Sequence, residues 1–194
     1  MVGRRAVERF GAVSLAAITA IAVAACGSSE KKTAPSAYVS QVCTAIGGLL
    51  RTVQTDAAAL SSEVHRSRGT AERKAALSHL LSSALQAADQ AVSGLKAAGV
   101  PDVAEGRQIS RRLVGAFEEV RSVLINDQRR ASLLNTGSAR AFGEESRQLG
   151  RDLENSLSSV GGSLSQLHSA KLDQAAATSP ACQALVGSSA GSSS

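Results

Sequence analysis

The side chains able to do chemistry in this 194-residue chain are three cysteines, three histidines, two adjacent glutamate pairs and many serines. The thiols of Cys26, Cys43 and Cys182 can take an acyl group, join as a disulfide or hold a metal. A metal site inside a helical bundle favours Glu-x-x-His, yet Ser62, Ala76 and Ser165 stand three residues before His65, His79 and His168. No His-Glu-x-x-His or Cys-x-x-Cys-His occurs, and no methionine follows Met1, which argues against zinc, haem and copper. The three histidines therefore read as surface or helix-end residues. No Ser-x-x-Lys has companion motifs, and the phosphate-cradling Gly-x-x-x-x-Gly-Lys is absent. Glu118-Glu119 and Glu144-Glu145 point about 100° apart on a helix and suit salt bridges, such as Glu118 with Arg121, better than paired acid–base work. No catalytic residue, cofactor or metal ligand is expected.

The strongest signal lies at the start of the chain. Arg4, Arg5 and Arg9 form a positive segment, and residues 11–25 follow as an uncharged apolar run. That run is shorter than the roughly 20 apolar residues of a membrane-spanning helix and suits a cleaved signal. It ends in Val23-Ala24-Ala25-Cys26, which resembles the lipobox of bacterial lipoproteins: aliphatic, small, small, cysteine. The resemblance covers the leader alone. It implies a signal peptide at 1–25, cleavage before Cys26, a diacylglyceryl group on the Cys26 thiol, and acylation of the new amine. Two or more acyl chains, at about 0.8 kcal/mol per buried CH₂, hold a protein at the extracytoplasmic face of the cell membrane. Gly3-Arg4-Arg5-Ala6-Val7 distantly resembles a twin-arginine export signal but lacks the flanking polar and bulky residues, so general secretion is expected.

Residues 26–194 carry 18 basic and 15 acidic side chains, too mild an excess to name a partner. Nine arginines and only five acids fall between positions 107 and 151, a pattern that reads first as a solvated helical face. After the leader the only rings of any size are Tyr38, Phe117 and Phe142, which leaves neither a stacking platform for nucleic acid nor one for sugars. The abundance of Ala, Ser and Arg resembles actinobacterial composition. With Cys26 acylated, Cys43 and Cys182 remain as an even pair in an oxidising compartment, where a disulfide is expected.

Four long helical stripes must position these groups. Residues 26–36 read as a flexible tether, under about 20 Å as a coil, leading to a helical domain at 37–187 and a disordered tail at 188–194. A first helix from near Ser36 places Val39, Val42, Ile46, Leu49, Val53, Ala57, Leu60 and Val64 on one face, with a bend or close contact at Gly47-Gly48. A second, capped by Thr70, carries Leu77, Leu81, Ala84, Ala88, Ala91 and Leu95 as far as Gly99-Val100-Pro101. A third follows from Asp102 with Ile109, Leu113, Ala116, Phe117, Val120, Val123 and Leu124. After Asn135-Thr136-Gly137-Ser138 a fourth carries Phe142, Leu149, Leu153, Leu157, Val160, Leu164 and Leu167, with a defect at Gly161-Gly162. A short segment from Pro180 holds Cys182.

No strand pattern interrupts the stripes, so the fold class is all-α: an antiparallel up-down-up-down four-helix bundle. That order returns the chain to its starting end and sets Cys182 beside Cys43. The function expected first is a non-enzymatic interaction, scaffold or sensor-accessory role toward an unidentified envelope protein. The alternative is a binding protein that holds an apolar or amphiphilic ligand between its helices. A nucleic-acid partner is not expected.

Overall fold

The computed structural model describes residues 32–164 and 169–190, with side chains through 159 and again over 169–185. Cys26, the leader, most of the tether and His168 lie outside the described residues. What is described is mostly helical and carries the Cys43–Cys182 disulfide.

The chain enters through β1 (Lys32–Thr33) and turns directly into α1 (Pro35–Arg66). Proline suits the first helical position, because the N–H it lacks has no partner there in any case. α1 ends on His65 and Arg66, whose charge complements the carbonyl end of the helix dipole. α2 (Thr70–Ala98) follows after three residues. Thr70 is not the cap that its type suggests. Gly69 occupies the N-cap position, and the Thr70 hydroxyl instead donates to Thr136 O at 2.6 Å, tying the start of α2 to the turn after α3. Glu72 accepts from the Arg68 N–H at 2.7 Å, which ties the residue before the N-cap to the first turn of α2.

The expected stop at Gly99 is present, with φ 75°. Beyond it the structure departs from the expectation of helices alone. Val100–Pro101 (β2) pairs in parallel with β1, Thr33 Oγ1 donates to Ala98 O at 2.8 Å, and the Asp102 N–H donates to Thr33 O at 2.8 Å. A Lys32–Asp102 ion pair at 2.9 Å completes the clamp. The end of the tether is therefore bound to the body. Residues 102–105 are used in this corner, so α3 (Gly106–Ser132) begins four residues later than Asp102. α4 (Ala139–Leu164) then runs through Gly161 and Gly162 without the expected break. Two short helices close the chain, α5 (Ala170–Thr178) and α6 (Pro180–Ala190); the first was not anticipated, and the second continues past the expected boundary at 187.

The core is built on alanine. Ala84, Ala87, Ala88, Ala91 and Ala98 of α2 are all buried, with Leu81 before them and Leu95 among them. Small side chains let neighbouring helices pack closely, so each contact buries little area. Among the described residues, α1 packs on α2, α5 and α6, α2 on α3, and α3 on α4. Polar rungs join α2 to α3: Lys74 reaches Ser132 O, Ser82 meets Gln128, Asp89 meets Arg121, and Lys96 meets Glu118. Of the expected inward residues of α1, Ala57 is exposed and Asp56 takes the half-buried place beside it. At Gly47 the expected close contact is found, since an added Cβ would come within 2.9 Å of Leu185 in α6; Gly48 has no such neighbour.

Candidate ligand-binding cleft

Midway along the helices the inward stripes do not fill the space between them. α2 supplies a floor of Leu80, Leu81 and Ala84, and α3 supplies Phe117, Val120 and Leu124. Ile46, Leu49, Leu50 and Val53 of α1 form one wall, and Leu153 and Leu157 of α4 form the other. The opening has a volume of about 330 Å³. Leu50, Val53 and Leu157 at its mouth are 41%, 36% and 39% exposed, high values for large aliphatic side chains. The cause lies in the packing: α5 and α6 lie against α1 and α4 against α3, which leaves an aliphatic gap where α1 and α4 face.

At one end of the molecule Tyr38 is buried and its hydroxyl shares a hydrogen bond with the Ser110 side chain; burial is the main cause that raises its pKa. Ser110 in turn donates to Gly99 O at 2.8 Å. This fixes the start of α1 to the corner between α2 and α3. The Cys43–Cys182 bond lies nearby, with its Cα atoms 5.1 Å apart, and buried Cys182 holds α6 against α1.

Towards the other end of α3, Asp127 is 3% exposed. Its Oδ1 lies 3.4 Å from Arg130 Nη1, while Arg130 Nη2 donates to Asp152 at 2.6 Å. Desolvation raises the Asp127 pKa, with Arg130 opposing; Asp152, bonded by Arg130, shifts down. The two carboxylates therefore act oppositely on stability. Asp127 has its raised pKa in the folded state, so its contribution is favourable below the ordinary Asp value of about 3.9 and is lost as pH rises through the folded value. Asp152 contributes above the ordinary value and loses that contribution as pH falls. Asp127→Asn is thus expected to stabilise the protein at pH 7 by about 1 kcal/mol, with the gain vanishing near pH 4. Urea midpoints measured across that range check it, and a gain independent of pH would contradict the assignment.

The other candidate groups do not converge. Glu118 pairs with Lys96 and Arg121 with Asp89, so the ion pair expected within α3 is replaced by two between helices. Glu144 pairs with Arg140, while Glu145 accepts the Asn135 N–H. His65 is exposed with Nδ1 2.7 Å from Ser61 O, and His79 is exposed on α2. Among the described residues no three His, Cys, Asp or Glu side chains are grouped to hold a metal ion. The tail does spell Gly187-Ser188-Ser189-Ala190-Gly191, the pattern of a hydrolase nucleophile turn. Its first four residues are the end of α6, however, so the strand-to-helix turn that would activate a serine there is missing. The sequence admits a ligand between the helices as an alternative but does not show that a cleft exists, and its apolar stripes do not mark the inward placing of Asp56 and Asp127. Spacing alone held a signal for the latter: Asp127 follows Val120 by seven residues and Leu124 by three, as a core residue would.

In comparisons with known proteins, no family model, no curated protein and no solved structure matches the chain.

Proposed function

We propose that this protein is an extracytoplasmic lipoprotein, held at the cell membrane through diacylglyceryl on Cys26, whose body binds an apolar or amphiphilic ligand without catalysis. The observation that carries the ligand reading is the cleft, walled by aliphatic side chains and one phenyl ring with no charged residue in its lining. Its volume of about 330 Å³ falls at the lower end of small-molecule pockets, about 300–1,000 Å³. At about 30 Å³ per water-sized group, it has room for on the order of ten non-hydrogen atoms. Such a wall offers no proton donor or nucleophile, which supports retention over reaction.

We read α1 to α4 as an antiparallel up-down-up-down four-helix bundle, with α5 and α6 laid back on α1. The rungs between α2 and α3 support this, because partner numbers fall from Ser132 to Gln128, Arg121 and Glu118 as α2 advances from Lys74 to Lys96. The anchor rests on Val23-Ala24-Ala25-Cys26. From Cys26 to the clamp at Lys32 the chain spans at most about 20 Å, so an acylated Cys26 keeps the body near the bilayer. Among the described residues no helix is long and apolar enough to cross a membrane. A second reading, an adaptor for an envelope protein, is favoured by Leu50, Val53 and Leu157 at the mouth, an apolar strip open to a partner's helix.

The test titrates detergent-extracted lipoprotein with Nile red, a neutral apolar dye, and subtracts the uptake of the same detergent without protein. Saturable uptake of one dye per chain is expected, weakened about ten-fold or more by Val53→Asp with Leu157→Asp. Uptake that never saturates, or that ignores both aspartates, removes the ligand reading and leaves the adaptor. For the anchor, Cys26→Ala is expected to abolish lipid labelling, and an unmodified Cys26 in membrane-bound wild type would refute it.

A further inference from the structure

Beside the aliphatic cleft the inward faces of α1 and α3 change character. Asp56 stands seven residues after Leu49, and Asp127 seven after Val120; both of those apolar residues line the cleft. Seven residues are nearly two helical turns, so each carboxylate continues its line about 10 Å along the axis. The Arg130–Asp152 bridge sets the register of α4 against α3 and brings Leu153 and Leu157, also cleft residues, to the level of Asp127. Asp127 therefore stands about one turn beyond Leu124, next to that end of the cleft and outside its lining.

Its Oδ2 is buried without a hydrogen-bond partner, and so is the Oδ2 of Asp56. A buried carboxylate oxygen left in that state is unfavourable unless something binds to it. Arg130 is shared, since it meets Asp127 only through Oδ1 while also serving Asp152. The half-buried Arg73 of α2 lies farther along: Lys74 is bonded to the carbonyls of Ser132 and Leu134, which puts Arg73 nearly two turns beyond Asp127.

We infer that the cleft takes an amphiphile with a protonated amine head, its apolar body lying along Val53, Val120 and Leu157 and its ammonium donating to the unpartnered oxygen of Asp127. Asp56, on the facing helix, adds negative potential at the same end. The inference rests on the ligand reading of the cleft and names the class of ligand. A carboxylate or phosphate head would meet like charge there. A hydroxyl would satisfy an acceptor and leave the charge unbalanced.

The test uses calorimetric titration of the lipoprotein with decylammonium and decanoate, each below its micelle concentration, and with decanol below its solubility limit, all against a blank of the same buffer and detergent. Wild type is expected to bind decylammonium about ten-fold or more tighter than decanoate. The net positive charge of residues 26–194 would favour the opposite order, so the overall field cannot produce that preference. Asp56→Asn with Asp127→Asn is expected to bring the two ions within about two-fold of each other while decanol is unaffected. Asp127→Asn alone, which removes a buried charge and keeps the shape, is expected to lose most of the preference and serves if the double variant does not fold. Equal affinities in wild type, a decanoate preference, or an amine preference intact in the folded variants would overturn the inference while decanol binding keeps the cleft reading. Binding of none of the three would overturn both.

Discussion

Replacing Cys43 and Cys182 together by serine is expected to lower the melting temperature by about 10–20 °C while helical circular dichroism at low temperature stays close to wild type. The bond joins residues separated by 139 positions, and closing so long a loop contributes about 5 kcal/mol in the chain-entropy model. It also fixes α6, and through it α5, against α1. α5 has no fully buried residue, and on α6 the described side chains that are buried or half-buried are few, Cys182 and Leu185 among them. Without the bond, α5 and α6 should leave α1 first, because the rungs and alanine contacts among α1 to α4 do not depend on it. Limited proteolysis would then cut between α4 and α6 before the core. A fall in melting temperature under about 3 °C would show that packing alone holds α6 in place.

Gly106→Ala is expected to destabilise the protein by about 3 kcal/mol, although glycine to alanine in an ordinary helix gains up to about 1 kcal/mol. The reversal comes from one contact. A Cβ on Gly106 would stand 2.1 Å from Pro101 O and 3.2 Å from Pro101 C, backbone atoms that no rotamer change can move aside. Pro101 is fully buried and belongs to the pairing with Thr33, so displacing it also loosens β1. Glu105, next to Gly106, already has φ 61° and has little freedom to absorb the shift. Gly115→Ala is the control on the same helix, where nothing lies within 4 Å of the added methyl, and it is expected to stabilise. Urea midpoints for the two variants should move in opposite directions. Equal, small shifts would mean that the corner yields easily.

Much of the helical architecture was legible in the sequence because helix formation is decided locally. Apolar residues at three- and four-residue spacing marked α1 to α4 before any contact was known, and Gly99 followed by Pro101 marked the end of α2. The pairing of Cys43 with Cys182 was legible too, by parity and by the order of helices. The lipobox-like Val23-Ala24-Ala25-Cys26 is a local pattern of another kind, and it lies outside the described residues.

What stayed hidden depends on how one helix sits against another. Whether Asp56 or Ala57 turns inward on α1 is a question of a rotation of about 100°, settled by the neighbours and not by the stripe. Glu118 had Arg121 at ideal spacing on its own helix, yet Lys96 and Asp89 of α2 take the two apart because the helices bring them closer. The parallel pairing of Lys32–Thr33 with Val100–Pro101 joins segments too short to show a strand pattern and too far apart in the chain to be paired by spacing. The cleft belongs to the same class. Each helix supplies an ordinary apolar stripe, and only the mutual placement of the four, with α5 and α6 lying on α1, leaves the space between them unfilled. Periodicity along one chain states which side of a helix avoids water; it carries no information about how completely the facing sides meet.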